Sequence, residues 1–153
     1  MKTINNHLFK SAMKKFATGV TIVTINNNNI FIGKTVNSFT SLSLNPPLIL
    51  FSLNKHSTHL KEYLVAKFLG INILSNKQKD LSYLFSKKTP EWGLTKTFLA
   101  KNNTPMIKNS VINFNCQNYK TILQGDHIIF ICKVLELKNT KYKPLIYLNS
   151  QYY

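Results

Sequence analysis

Gly33-Lys34-Thr35-Val36-Asn37-Ser38-Phe39-Thr40-Ser41-Leu42-Ser43-Leu44-Asn45-Pro46-Pro47, running into the apolar stretch Leu48 to Leu53, is the segment whose reading decides this chain. It places small hydroxyls, amides and one ammonium between two β-rich segments and ends in a double proline, which stops regular pairing on that side. Thr35, Asn37, Ser38, Thr40, Ser41 and Ser43 carry more polar groups than a strand needs. Such groups ligate phosphate oxygens and heterocycle edges, and Lys34 adds a point charge suited to phosphate. The same residues also fit an ordinary solvated strand face, and composition alone leaves both readings open. Ser52, Ser57 and Thr58 form a second hydroxyl cluster, which either closes on the same anion or caps a helix that starts after Thr58.

Upstream, residues 5–17 read as a helix, with Leu8, Phe9, Ala12, Met13 and Phe16 at spacings of three and four and Lys10, Lys14 and Lys15 opposite. Asn5 or Asn6 caps it and Gly19 ends it. Val20 to Ile25 is almost continuously β-branched, and Asn26 to Asn29 form a polar turn before Ile30-Phe31-Ile32, which together predict a hairpin. Downstream, Leu48 to Leu53 reads as a strand, Leu60, Tyr63 and Leu64 as a short helix, Phe68 to Leu74 as a strand, and Lys77 to Phe85 as a second short helix.

Residues 86–109 show no period and carry Pro90, Trp92, Gly93 and Pro105, so they read as a long excursion outside the core. Val111 to Cys116, Tyr119 to Leu123, Ile128 to Leu137 (a long buried strand) and Leu145 to Leu148 complete the β elements, with Gly125-Asp126-His127 as a tight turn. The expected fold is mainly β (α+β): a closed or split antiparallel β-barrel with two or three small peripheral helices, residues 1–153 forming a single domain.

At 153 residues and 44% hydrophobic, the chain buries a core without disulfide or metal staples. No run approaches the roughly 18 apolar residues that span a bilayer, and the N-terminus lacks a signal-peptide core, so a cytoplasmic protein with no membrane partner is expected. Cys116 and Cys132 have neither CxxC spacing nor clustered His or Asp, which argues for buried free thiols and against a metal site. The formal charge of +15 invites a nucleic-acid reading. All 20 basic residues are Lys, however, scattered from Lys2 to Lys143 amid 19 Asn. A base-reading protein would keep Arg for bidentate contacts, so no nucleic-acid partner is expected and the charge favours anionic small ligands.

His127 is the one titratable group singled out for a catalytic role; five acidic residues leave few paired carboxylates, and no GxSxG, HExxH or P-loop pattern occurs. In chain order stand Phe16-Ala17-Thr18-Gly19-Val20, Thr35-Val36-Asn37-Ser38-Phe39-Thr40-Ser41, Pro46-Pro47-Leu48, Asn72-Ile73-Leu74-Ser75 and Gly125-Asp126-His127. This ordered set resembles the flavin reductase-like family over nearly the whole chain.

The resemblance implies an FMN-binding split barrel, usually a homodimer with flavin at or near the subunit interface. It also implies an NADH- or NADPH-dependent reductase of FMN or FAD that often feeds a partner monooxygenase. By position, Lys34, Thr35, Val36, Asn37 and Ser38 would meet the flavin, with Thr35 to Ser38 along the isoalloxazine and ribityl chain. Ser52, Leu53, Ser57 and Thr58 would hold the chain and phosphate; His127 would lie where nicotinamide docks, with Tyr152 nearby. Hydride transfer between two cofactors needs stacking, orientation and exclusion of water, which suits a chain with binding groups and no acid–base pair. The competing expectation is a flavin- or haem-binding split barrel without nicotinamide activity.

Overall fold

The computed structural model of the protein describes residues 3–153. In chain order the elements are α1 (Asn6–Met13), β1 (Thr18–Gly19), β2 (Thr21–Asn27), β3 (Ile30–Val36), β4 (Thr40–Ser43), β5 (Leu48–Asn54), α2 (Leu60–Val65), β6 (Phe68–Ile73) and α3 (Lys79–Ser86). There follow β7 (Thr97–Leu99), β8 (Pro105–Ile107), β9 (Ile112–Gln124), β10 (His127–Asn139), β11 (Ile146–Leu148) and β12 (Gln151–Tyr152).

Seven strands form one antiparallel sheet in the order β3-β2-β6-β9-β10-β5-β4. Its outermost members, β3 and β4, are joined by only Asn37, Ser38 and Phe39. Laid flat, seven strands would set those edges about 29 Å apart, whereas the connection spans at most about 14 Å. The sheet therefore curls until its edges meet. Ser38 seals the seam: its Oγ donates to the Ser52 carbonyl and accepts from the Ser52 N–H, both at 3.0 Å. The stretch that opened the sequence reading is thus the closure of a barrel.

Strand alternation decides what fills it. Val23 and Ile25 of β2, Ile32 and Val36 of β3, and Ile49, Phe51 and Leu53 of β5 point inward with Cys116, Phe130 and Cys132. The Phe51 and Phe130 rings stack with centroids 4.9 Å apart. From α2, fully buried Tyr63 enters this core and donates to the Val23 carbonyl at 2.9 Å. Ile22 on the opposite face of β2, with Val20 just before the strand, enters a second core with Leu74, Phe85, Ile107 and Leu145. There α3 lies on β3 where Gly33 leaves room; a Cβ at Gly33 would stand 2.6 Å from Phe85 ring carbons. A polar knot ties this side together. The Asn72 amide donates to the Ile22 carbonyl and to Thr24 Oγ1, and its Oδ1 accepts from the Ile107 N–H and the Asn113 amide.

The β2–β3 hairpin forms as expected, with Asn28 and Asn29 at φ 51° and 67° taking the left-handed conformation its turn requires. Asn5 caps α1 by accepting from the Leu8 N–H at 2.8 Å. Other expectations are corrected. The first helix ends at Met13, not near 17, Gly19 lies in a strand, and no residue of α1 is buried, because its apolar side overhangs an open cavity. Thr58 does not cap α2; the N-cap is His59 at φ 61°, without a side-chain bond. Residues 86–109 are not wholly outside the core: they contain the β7–β8 hairpin, and Ile107 is fully buried. The segments at 111–116 and 119–123 are one strand, β9, with an irregularity opposite Ile131 and Cys132. Only Phe130 and Cys132 of β10 are buried, since its other face meets solvent.

Candidate active site

Barrel closure brings β3, the seam, the end of β5 and the start of β10 to one place. In the β5–β10 ladder His127 pairs with Asn54, so the turn histidine arrives beside the loop that leaves β5. That loop is pinned by the Ser57 N–H bonding the Asn54 carbonyl at 2.8 Å and the Lys55 N–H bonding the Asp126 carbonyl at 2.9 Å. Lys34, Thr35, Val36, Asn37, Ser38, Ser52, Leu53, Ser57 and His127 all line one cavity of about 190 Å³. Asn54 also lines it and was missed by sequence reading, although its place between Ser52 and Ser57 was a usable signal. Thr58 is not among the lining residues.

Tyr152 lines a neighbouring cavity of about 220 Å³ with Val20, Thr35, Val36, Asn37, Ser82 and Tyr147. It does not line the cavity of about 190 Å³ that holds His127, but Thr35, Val36 and Asn37 line both cavities, so the two adjoin. His127 belongs to the main sheet, and Tyr152 belongs to the three-stranded sheet β1-β11-β12. Ser82 and Tyr147 went unrecognised because only the packing of α3 on β3 and the pairing of Tyr147 with Thr18 bring them here. A third cavity, of about 830 Å³, lies between α1 and the seam.

The polar groups differ in what they still offer. The Thr35 hydroxyl donates to the Ser82 carbonyl at 2.9 Å, and the Ser38 proton is spent on Ser52. Both retain acceptor capacity. Ser82 Oγ and the Tyr152 hydroxyl lie 2.8 Å apart. Asn37, Ser57 and Lys34 have side chains with no hydrogen-bond or ion-pair partner among the described residues, and no carboxylate lines any of the three cavities. His127 Nδ1 bonds Asp126 Oδ1 at 2.7 Å, which leaves Nε2 as the ring nitrogen available to a ligand. The His127 ring beside Asp126 holds that carboxyl below the usual carboxylate range. The site is therefore a groove of uncommitted donors and cations suited to an anionic, heteroaromatic ligand.

The description "Flavin reductase like domain" matches residues 13–153 of this chain. The chain belongs to the flavin reductase-like family. It is 33% identical over 143 residues to "FMN reductase (NADH) SmoA" of Agrobacterium fabrum, covering 94% of this chain and 82% of the relative. It is 33% identical over 147 residues to the reductase component of the flavin-dependent trigonelline monooxygenase of Acinetobacter baylyi, covering 94% of this chain and 47% of the relative. The chain thus spans about half the length of some curated flavin reductase-like relatives. The solved structure of flavin reductase PheA2 in its native state superposes with a TM-score of 0.91 at 35% identity, covering 98% of this chain and 97% of that one. The split barrel of the flavin reductase-like family is the fold described above.

Proposed function

We propose that this chain is an NADH- or NADPH-dependent flavin reductase that reduces FMN or FAD and passes the reduced flavin to a monooxygenase. The observation that carries the reading is the single cavity in which nine predicted flavin and nicotinamide contacts meet, in a member of this family. The donor set fits a flavin phosphate and ring. Lys34 and Ser57 are uncommitted and suit a phosphate, and the free amide of Asn37 suits a ring edge with both donors and acceptors.

When bound, the flavin supplies the ring that accepts hydride from the nicotinamide. The chain supplies the setting. Lys34 anchors the anionic end, the seam holds Asn37 at a fixed place because Ser38 is bonded to both backbone groups of Ser52, and buried Val36 and Leu53 keep water from the cavity floor. His127, oriented through Nδ1 by Asp126, keeps Nε2 for the reacting pair.

The chain is taken as one functional unit acting as a homodimer in the cytoplasm. The exposed apolar side chains of Phe9, Met13, Phe16, Leu42 and Leu44 support self-association. The free, buried Cys116 and Cys132 suit a reducing compartment, and no helix among the described residues is long and apolar enough to cross a membrane.

Anaerobic mixing with FMN and NADH, and separately NADPH, tests the reading. Loss of the oxidised flavin absorbance with at least one nucleotide is the expected result. Tight flavin binding with reduction only by dithionite would favour a binding protein instead.

A further inference from the structure

The β7–β8 hairpin faces the far half of the β9–β10 ladder, and two more cavities open beneath it, of about 270 and about 320 Å³. They share no lining residue with the three cavities that meet at Asn37. Phe98, Asn113 and Lys138 line both, so the two form one continuous space. Strand register builds it: Lys138 stands directly across from Asn113 in the ladder, and Phe98 directly across from Met106 in the hairpin. The hairpin is held in place above. Its Pro105 carbonyl accepts from Thr24 Oγ1, the Asn103 carbonyl accepts from the Asn26 amide at 3.0 Å, and the Ile107 N–H donates to Asn72 Oδ1 at 2.9 Å.

Asn113 is the decisive group. It is only 4% exposed, and its amide donates to Asn72 Oδ1 at 2.8 Å and to the Ile107 carbonyl at 2.9 Å. A backbone carbonyl can only accept, which fixes the nitrogen on that side. Asn113 Oδ1 is left with no donor among the described residues, in a side chain that lines both cavities. Buried acceptors are normally satisfied, so this oxygen is a place for a ligand's N–H or O–H.

The charges around it are polarised. Lys108 and Lys138 line the cavity of about 320 Å³, which has no carboxylate in its wall, and neither forms an ion pair among the described residues. The Lys138 ammonium lies instead 4.9 Å from the centroid of the Phe98 ring. In the other cavity Ala100, Met106 and Leu137 supply apolar wall. Its one carboxylate, Glu136, is engaged by Lys101 at 2.9 Å and by the Asn115 amide at 3.3 Å, and its charge turns an anion toward the lysine end.

We propose that this space is a second ligand site, separate from the flavin groove, for a small organic anion with a hydrogen-bond donor near its middle and an apolar, ring-sized group at its far end. The anion lies at Lys108 and Lys138, the donor meets Asn113 Oδ1, and the apolar group fills the space beside Ala100, Met106 and Leu137.

Hippurate, with a carboxylate, a central N–H and a phenyl ring, is the probe. Titration calorimetry on the full chain should give a Kd of about 1 mM or tighter, in line with a ligand of this size. The value should be the same with and without saturating FMN. Hippurate methyl ester, which lacks the charge, and benzoyloxyacetate, which has an oxygen in place of the N–H, should each bind about fivefold more weakly or worse. In Lys108→Gln/Lys138→Gln, two exposed positions, hippurate should bind no better than its methyl ester, while the Tm and the rate of flavin reduction stay at wild-type values. No binding of hippurate at about 5 mM, several times the expected Kd, overturns the proposal. So does equal affinity for all three compounds, or a double variant that keeps its preference for hippurate. Binding that FMN abolishes places hippurate in the Lys34 groove and overturns it as well.

Discussion

Lys34 is half-buried in β3 and has no carboxylate partner among the described residues, so its charge is held ready for a ligand anion. Lys34→Met keeps the stem and removes the charge. It should raise the Kd for FMN roughly ten- to 150-fold, in line with about 1.5–3 kcal/mol for a charged hydrogen bond, while leaving riboflavin affinity nearly unchanged. Fluorescence titration with both flavins checks this. Asp126 gives a pH signature. Its folded-state pKa is lowered, first by the hydrogen bond from His127, so the pair contributes stability above the ordinary carboxylate pKa of about 4. That contribution is lost as pH falls through the lower folded value. The Tm advantage of wild type over Asp126→Asn should therefore be constant near pH 6 and vanish in strong acid, which thermal melts across pH 2–7 would show.

Among the elements, α3 couples the core to the site. It contacts β3 at Gly33 through Phe85, with Trp92 of the following loop beside it, and through the Ser82 carbonyl it holds Thr35. Gly33→Ala would drive a methyl into the Phe85 ring and should destabilise the protein by roughly 1–3 kcal/mol, the usual range for overpacking. Because the displaced helix carries Ser82 and hence its bond to Tyr152, flavin binding should weaken in the same variant. Urea unfolding and flavin titration on one preparation separate the two effects. The hairpin between β9 and β10 is governed by its turn: Gly125 at φ 63° supplies the left-handed residue that a two-residue loop needs, and so sets the register that puts His127 opposite Asn54.

For the whole molecule, barrel closure encloses both thiols. Burial pushes Cys132 up to about 12 and raises Cys116 further, so neither is a thiolate at neutral pH. A thiol reagent at pH 8 should label none in the folded protein and two after denaturation, and the slow labelling in buffer should report opening of the barrel. The fluorescence or mass shift per chain reads this directly.

Local patterns made much of this legible. The β-branched run before Asn26 to Asn29, the prolines before Leu48 and the turn glycine at 125 each act over a few residues, and each formed as its chemistry dictates. The hydroxyls of the seam, Ser52, Ser57 and His127 could be singled out by type, since uncommitted donors and a turn imidazole are visible in any sequence. Their convergence was not, because it depends on two sheet edges meeting across three residues and on the β5–β10 register. The placing of Tyr152 and His127 on adjoining cavities, the recruitment of Ser82 and Tyr147, and the use of an unburied α1 as the wall of a cavity come from packing between segments distant in the chain. Side-chain chemistry is local and was set by the sequence itself; which cavity each side chain faces was decided only when the barrel closed and α3 and the last strands packed against it.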